Sequence, residues 1–505
     1  MQKKQTILVV ASLLVVVLSV TLAYFTAQII GKGKDVTINS ADLKIIFTDS
    51  DGTISGSNIE PGWSDTKTFT VENKSNETYK YNIVIQDLVN TFVTNGYLQY
   101  KITSTNNGYN MTEFKDVPKS SALKDTILAY SASIEVGVKQ TYTVEFIYKN
   151  DESVDQSKDM GKTLSGKLFI TEGTEAPTLL SQILKDNPTR SSRSNNNNGT
   201  NDFATPLTAT TTGTLFTSTE SITGITDSPK EVYYYAGNTT NNWVKFGGYY
   251  WRIIRTNHDG SIRLLYSGTS HNTTEGYIGK SQFNTTSNDP MYVGYMYGTS
   301  GSLALNRDNT NNSTIKTYID NWYNNNLSSY SKYISTEAAY CNDRNLVSGQ
   351  TYSTTSGFEC APYERIFTNK QPTYNCTNIK DAFSGSNSEA KLTYPIGLMT
   401  TDEIAFAGGV WKTNAPTWYY KNSTGESITG STDWWSLSPM GWEGHFSSSW
   451  RVYGSSNPGY LFNNVVNNAP IGVRPAISLK SCIKYSTGNG TPEIPYEIVE
   501  TSSGC

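Results

Sequence analysis

Few side chains in this 505-residue sequence have the types and spacings that do covalent chemistry. The three histidines, His258, His271 and His445, are too scattered to propose a catalytic dyad or a zinc site. Thr400-Thr401-Asp402-Glu403 reads as a capping box, the Thr400 hydroxyl accepting from the Glu403 N–H, and not as a general acid–base pair. All five cysteines lie in the last third of the chain and none forms a Cys-x-x-Cys. No catalytic residue, metal ligand or cofactor is therefore expected. The residues that stand out are suited to contact. Residues 441–468 hold Trp442, Glu443, His445, Phe446, Ser448 and Trp450, then Tyr453, Asn457 and Tyr460, then Asn463, Asn464, Asn467 and Asn468. Rigid aromatics supply contact area at low entropy cost, while Ser, Gly and Asn supply adaptable hydrogen bonds. For Trp442, Phe446, Trp450 and Tyr460, ligand contact and packing within a loop both stay open. The asparagines read equally as turn residues.

Two apolar stretches are placed to hold this segment. Trp434-Trp435-Ser436-Leu437-Ser438-Pro439 reads as one strand and residues 473–479, with Arg474 and Pro475, as another, so that together they clamp the residues between them. Trp434 and Trp435 are expected in the core, as are Trp251 and Arg252 in an earlier strand. Arg474 needs partners for its five donors, either backbone carbonyls or a carboxylate. Strands are expected at 233–236, 243–246, 249–255 and 262–266. A helix is expected where Ile315, Tyr318, Ile319 and Trp322 share a face, and a second from Thr400 to Gly408-Gly409. Residues 231–505 thus read as an α+β domain with two short helices.

Upstream, the text changes period. Between residues 36 and 171, Tyr79, Tyr81, Ile83 and Ile85 alternate with Lys80, Asn82 and Gln86, and Tyr142, Val144, Phe146 and Tyr148 repeat the pattern. Turn signals such as Asp51-Gly52 and Pro61-Gly62 separate the runs, which predicts an antiparallel β-sandwich. Residues 172–230, rich in Asn, Thr and Ser, read as a spacer with one short helix at 178–185. At the start, Lys3 and Lys4 precede an uncharged apolar run from Ile7 to Phe25, with Thr21 and Ala23 at −3 and −1 positions. Residues 1–30 therefore read as a signal peptide, or uncleaved as a membrane anchor. Export favours disulfides; Cys341 with Cys376 and Cys482 with Cys505 is one pairing, leaving Cys360, although spacing does not fix the connectivity.

Two resemblances follow from these motifs. Ala23-Tyr24-Phe25-Thr26, a first strand near 41–47 and Glu60-Pro61-Gly62 leading into 67–73 resemble the TasA/camelysin family, which implies an exported jelly roll that can self-assemble into fibres. No His-Glu-x-x-His accompanies it, so no protease activity is carried over. Residues 244–255, 394–403 and 434–439 leading to Gly472-Val473-Arg474-Pro475 resemble an uncharacterised family of secreted domains from gut Firmicutes. That family is similar to the C-type-lectin-like fold of formylglycine-generating enzymes and of variable proteins diversified by retroelements. In the latter, the region before the terminal Gly-x-Arg strand carries the variable residues, here 441–468.

A net charge of −4 with 17% charged residues excludes a basic field for nucleic acid. The 34 Tyr and 10 Trp, set among Asn, Ser, Thr and Gly, instead suit strands, turns and amphipathic contact surfaces. The expectation is a non-enzymatic binding protein on the surface of a Gram-positive bacterium or released from it. Its partner would be an extracellular protein or glycan, with membrane contact through the first segment if uncleaved and possible self-assembly through the sandwich. The alternatives are a biofilm-fibre or coat component and, behind it, a formylglycine-generating type of enzyme, which needs a reactive cysteine pair that residues 441–471 lack. Neither Glu-Pro-Asn nor Gln-Pro-Asp occurs in the C-terminal domain, so binding is expected to be calcium-independent.

Overall fold

Alternating side chains build the first of two compact units, which ends at Ala176; the second runs from Pro177 to Cys505. A computed structural model describes residues 36–38, 43–47, 52–56, 59–192, 202–207, 215–501 and 503–505. The expected signal or anchor at 1–30 and the asparagine run at 195–198 lie outside the described residues.

In the first unit, one sheet takes the order Val36–Ile38, Leu43–Phe47, Ser64–Asn73, Lys139–Tyr148, Leu98–Ser104, Lys115–Asp116. The other takes the order Thr53–Gly56, Leu164–Glu172, Tyr79–Asn90, Ser120–Ile134, and every pairing in both sheets is antiparallel. Tyr81, Ile83 and Ile85 join Phe69, Val71, Tyr142, Val144, Phe146 and Leu168 in one core, as in a β-sandwich. Pro61-Gly62 makes the expected turn, Trp63 N–H donating to the Glu60 carbonyl at 2.9 Å with Gly62 at φ 93°. The outward face departs from simple alternation. Asn82 is buried, its Oδ1 accepting from Ser131 N–H at 3.0 Å and Thr174 N–H at 3.1 Å. Ser131 stands at φ 48° where the strand register slips, so a buried side chain satisfies the backbone that the bulge frees.

The second unit has two larger sheets. The first includes Arg190–Ser192, Leu215–Glu220, Lys230–Tyr235, Tyr249–Thr256, Ile262–Tyr266, Pro475–Leu479 and Ile396–Leu398 in spatial order, with Trp243–Phe246 paired to Tyr249–Thr256. The second orders Lys280–Ser281, Ile471–Gly472, Trp434–Trp442, Ser447–Val452 and Leu461–Val465, with Phe358–Glu359 beside Trp434–Trp442. The Thr314–Asn326 helix buries Ile315 and Ile319 and leaves Tyr318 and Trp322 half-buried against the same core. The Thr401–Phe406 helix carries the expected capping box.

Two expectations are corrected here. The described parts of 172–230 are not a spacer. The Leu179–Asp186 helix buries Leu179 and Ile183 in the core of the second unit, and the strands Arg190–Ser192 and Leu215–Glu220 extend its first sheet. The expected short helix is present, but the polar composition around it hid an edge of the sheet. Nor do 434–439 and 473–479 form one clamp. They enter different sheets, and Val473 and Arg474 form the link between the strands Ile471–Gly472 and Pro475–Leu479. The strands Ser447–Val452 and Leu461–Val465 interrupt the residues between them, which are therefore not one free loop.

Candidate functional site

Buried ion pairs fix the geometry of one surface of the second unit. Glu403, third residue of the Thr401–Phe406 helix, accepts from Arg255 Nε at 2.8 Å and Arg263 Nη1 at 2.6 Å, and its second oxygen accepts from Thr400 N–H at 2.9 Å. Arg255 also donates to Glu220 at 2.8 Å, beside His258. Burial raises the Glu220 carboxyl, but Arg255 and His258 outweigh it and bring it down to about 2. Next to Glu403, Asp402 holds Arg365 through two bonds of 2.8 and 2.9 Å, while the third guanidinium nitrogen donates to Asp343 at 2.6 Å. Arg307 and Arg344 close a neighbouring group on Asp381. Planar guanidinium forks on carboxylates set orientation as well as distance. The Cys341–Cys376 disulfide spans the segment that carries Asp343, Arg344 and Arg365. Cys482 is bonded to Cys505, and Cys360 is a buried free thiol.

What this lattice positions is a strip of aromatic rings. Arg365 sits between Tyr363 and Phe367 on a helical segment that continues as a π-turn over Glu364–Asn369. Trp411 stands on a tight turn after the Thr401–Phe406 helix, where Val410 faces Thr413 and Lys412 N–H donates to the Leu461 carbonyl at 3.1 Å. Phe462 comes from the Leu461–Val465 strand, and Tyr453 and Tyr460 from the connection before it. Ring centroids link Tyr363 to Phe367 (4.9 Å), Phe367 to Trp411 (5.9 Å), Trp411 to Phe462 (5.0 Å), and Phe462 to Tyr460 (6.1 Å) and Tyr453 (6.4 Å). Phe367 is 42% exposed and the other five are half-buried. Cations border the strip: Lys370 lies over Phe367 at 5.4 Å, Lys412 over Trp411 and Phe462 at 5.1 and 5.0 Å, and Arg451 over Tyr453 at 4.4 Å. Arg451 is oriented by Asp433 at 2.9 Å.

The contact residues expected from sequence divide between this surface and the interior. Tyr453 and Tyr460 lie in the strip, with half-buried Asn457 and Asn463 on the same strand and turn. Glu443 and His445 are exposed at the tip of a hairpin and Phe446 is half-buried beside His445. Asn467 and Asn468 are exposed in a turn, Asn468 N–H donating to the Val465 carbonyl. Four residues must be withdrawn from any contact role. Trp450 is fully buried, its indole N–H on the Pro439 carbonyl at 3.1 Å; Ser448 is fully buried in the same strand; Trp442 packs with Val293, Phe358 and Cys360; Asn464 accepts from Asn468 at 2.8 Å. Trp434–Trp442 is buried along its whole length and Ser447–Val452 at all but Arg451, so both faces of these strands are covered and an aromatic-rich text does not say which rings stay outside.

The structural residues are placed as follows. Trp251 donates to the Phe246 carbonyl, and Arg252 lies 4.2 Å over Trp243 and donates to the Thr239 and Lys421 carbonyls. Trp434 and Trp435 are buried, and Pro439 sits between two register shifts, where a missing N–H is tolerated inside a sheet. Arg474 is fully buried over Trp434, donating to the Tyr266 and Tyr419 carbonyls without a carboxylate, and burial pushes it down to about 9. Pro475 opens the final buried strand. Trp411, Phe462, Tyr363 and Phe367 were missed. Only the four-residue spacing of Tyr363 and Phe367 signals a shared helix face.

Among the described residues, no group of three or more His, Cys, Asp or Glu is arranged to hold a metal ion. No helix among them is long and apolar enough to cross a membrane. Two disulfides fit an oxidising compartment. No protein-family model matches the chain, and no curated protein matches it.

Proposed function

We propose that this chain is a secreted or cell-surface bacterial binding protein whose second unit presents the aromatic strip to an extracellular protein or glycan. The observation that carries the reading is that strip: six rings from three separated segments, held at a surface by buried ion pairs. Rings that pack a core have no need of such scaffolding at a surface, whereas amphipathic anchors locked in place bind at low entropy cost. In this reading the second unit is a C-type-lectin-like domain, diversified by a retroelement between 441 and 468, and the first is a jelly roll that anchors it to a Gram-positive surface. Tyr453, Tyr460, Asn457 and Asn463 then vary or contact ligand, while Trp442 and Trp450 are frame. The test is capture of the labelled full chain on plates coated with mucin, collagen, fibronectin or alginate. Trp411→Ser with Phe462→Ser is expected to abolish whichever capture the native chain shows; undiminished capture refutes the assignment of the surface.

A fibre-forming role is favoured by one observation. Ser120–Ile134 is a long strand at the edge of its sheet, with Leu123 71% exposed. Concentration-dependent sedimentation of the full chain, lost in Leu123→Lys, is its expected signature.

A further inference from the structure

We propose that the strip is a stacking platform for an acidic polysaccharide, an inference that rests on the binding reading above and names its ligand. Three features of the surface select this chemistry. The first is the pairing of rings with cations. Lys412 lies over two rings and has no carboxylate partner among the described residues, and Lys370 lies over a third while donating to the Ile366 carbonyl. Glu359 and Glu443 act on Tyr363, whose ring lies 6.4 Å from Trp411, while the charges that lie over Phe367, Trp411 and Phe462 themselves are lysines.

The second feature is backbone conformation. Lys370 and Lys412 stand at φ 54° and 52°, left-handed conformations that cost a β-carbon residue of order 1 kcal/mol or more. In both cases that conformation lays the ammonium over the neighbouring ring. Lys370 also closes the π-turn that carries Phe367, and such turns are frequent at functional sites. Glycine or asparagine would hold either backbone with less strain, but neither would place a charge over the ring.

The third feature disfavours an extended peptide at the Leu461 end of the strip. Leu461–Val465 is the last strand of its sheet, the place where a peptide would add by backbone pairing. That edge is already taken at Leu461 by Trp411 and by the Lys412 N–H. What remains accessible is ring surface edged by the Tyr453 and Tyr460 hydroxyls and the Asn457 and Asn463 amides. A pyranose has a matching amphipathic form, with C–H faces for the rings and hydroxyls for the rim, and a carboxylate or sulfate answers the lysines.

The full chain is run in native gels cast with alginate, chondroitin sulfate or neutral dextran. Retardation by alginate or chondroitin sulfate and not by dextran is expected, weakening as salt is added. Phe462→Ser with Trp411→Ser removes it. Lys412→Gln, which deletes only an exposed charge and leaves folding intact, weakens it about fivefold. Equal retardation by dextran, or no effect of Lys412→Gln, overturns the acidic assignment. Capture by fibronectin or collagen that needs Trp411 and Phe462, with no retardation by any polysaccharide, overturns the ligand class and leaves the binding reading standing. A strip whose loss changes neither kind of capture overturns both.

Discussion

Replacing Arg365 with methionine removes the fork that joins the Phe367 segment to the Thr401–Phe406 helix. Asp402 loses two bonds of 2.8 and 2.9 Å and Asp343 loses one of 2.6 Å, leaving two buried carboxylates without their cation. Breaking a buried pair on one side costs about 3–5 kcal/mol; with the Arg365 side chain 19% exposed, about 3 kcal/mol is the figure to expect. At roughly 1–2 °C per kcal/mol for a unit as long as Pro177–Cys505, the second unit should melt about 3–6 °C lower. The loss should also depend on pH, and its sign follows from Asp343. Burial raises its carboxyl above 3.8, and Arg365 opposes that rise. A raised carboxyl favours the fold while protonated and withdraws that contribution as pH climbs from its unfolded value through its folded one. Without Arg365 the folded value rises further, so the variant's deficit should be larger at pH 8 than at pH 5. Calorimetry of the full chain at both pH values measures this, with the first unit's transition as an internal control. A deficit below about 1 kcal/mol, or one equal at both pH values, would refute the claim that this fork holds the segment.

The remaining expectations are narrower. Trp450→Ala should cost about 3–5 kcal/mol by opening a cavity, whereas Tyr460→Ser should cost less than about 1 kcal/mol; equal melting temperatures for the two would contradict their placement. Glu220, brought from 4.5 to about 2, should contribute about 3 kcal/mol above pH 4.5 and lose it as pH falls toward 2, so Glu220→Gln should flatten the acid limb of a stability curve. Replacing Cys341 and Cys376 by serine opens a closure of 35 residues and should cost about 4 kcal/mol in a denaturant titration. Capture through the strip should survive EDTA, because rings, lysines and amides need no divalent ion; loss on chelation and return with calcium would point to a different surface.

Local pattern made the individual elements legible. Period two at Tyr79 to Ile85 gave the sandwich core, the Ile315 to Trp322 spacing gave a helix, and Thr400 with Glu403 gave a cap, because each signal is contained within one element. The surface was only half legible. Tyr453 and Tyr460 were visible as paratope-like residues, but their neighbours Trp411 and Phe367 arrive through non-local ion pairs between Arg365 and Asp402, 37 residues apart. No window of sequence contains that contact. Trp442 and Trp450 were ambiguous for a different reason: with aromatics on both faces of a strand, alternation loses its contrast, and the register set by Pro439 and its bulges decides which ring goes inside.

On the proposed reading, a preorganised aromatic strip, and not the buried tryptophans beneath it, meets an extracellular ligand. The most direct measurement is capture of the full chain on the coated-plate panel, read beside the melting temperature, for Trp411→Ser with Phe462→Ser. Capture should disappear while the second unit still unfolds cooperatively. Capture that persists in that folded variant would contradict it.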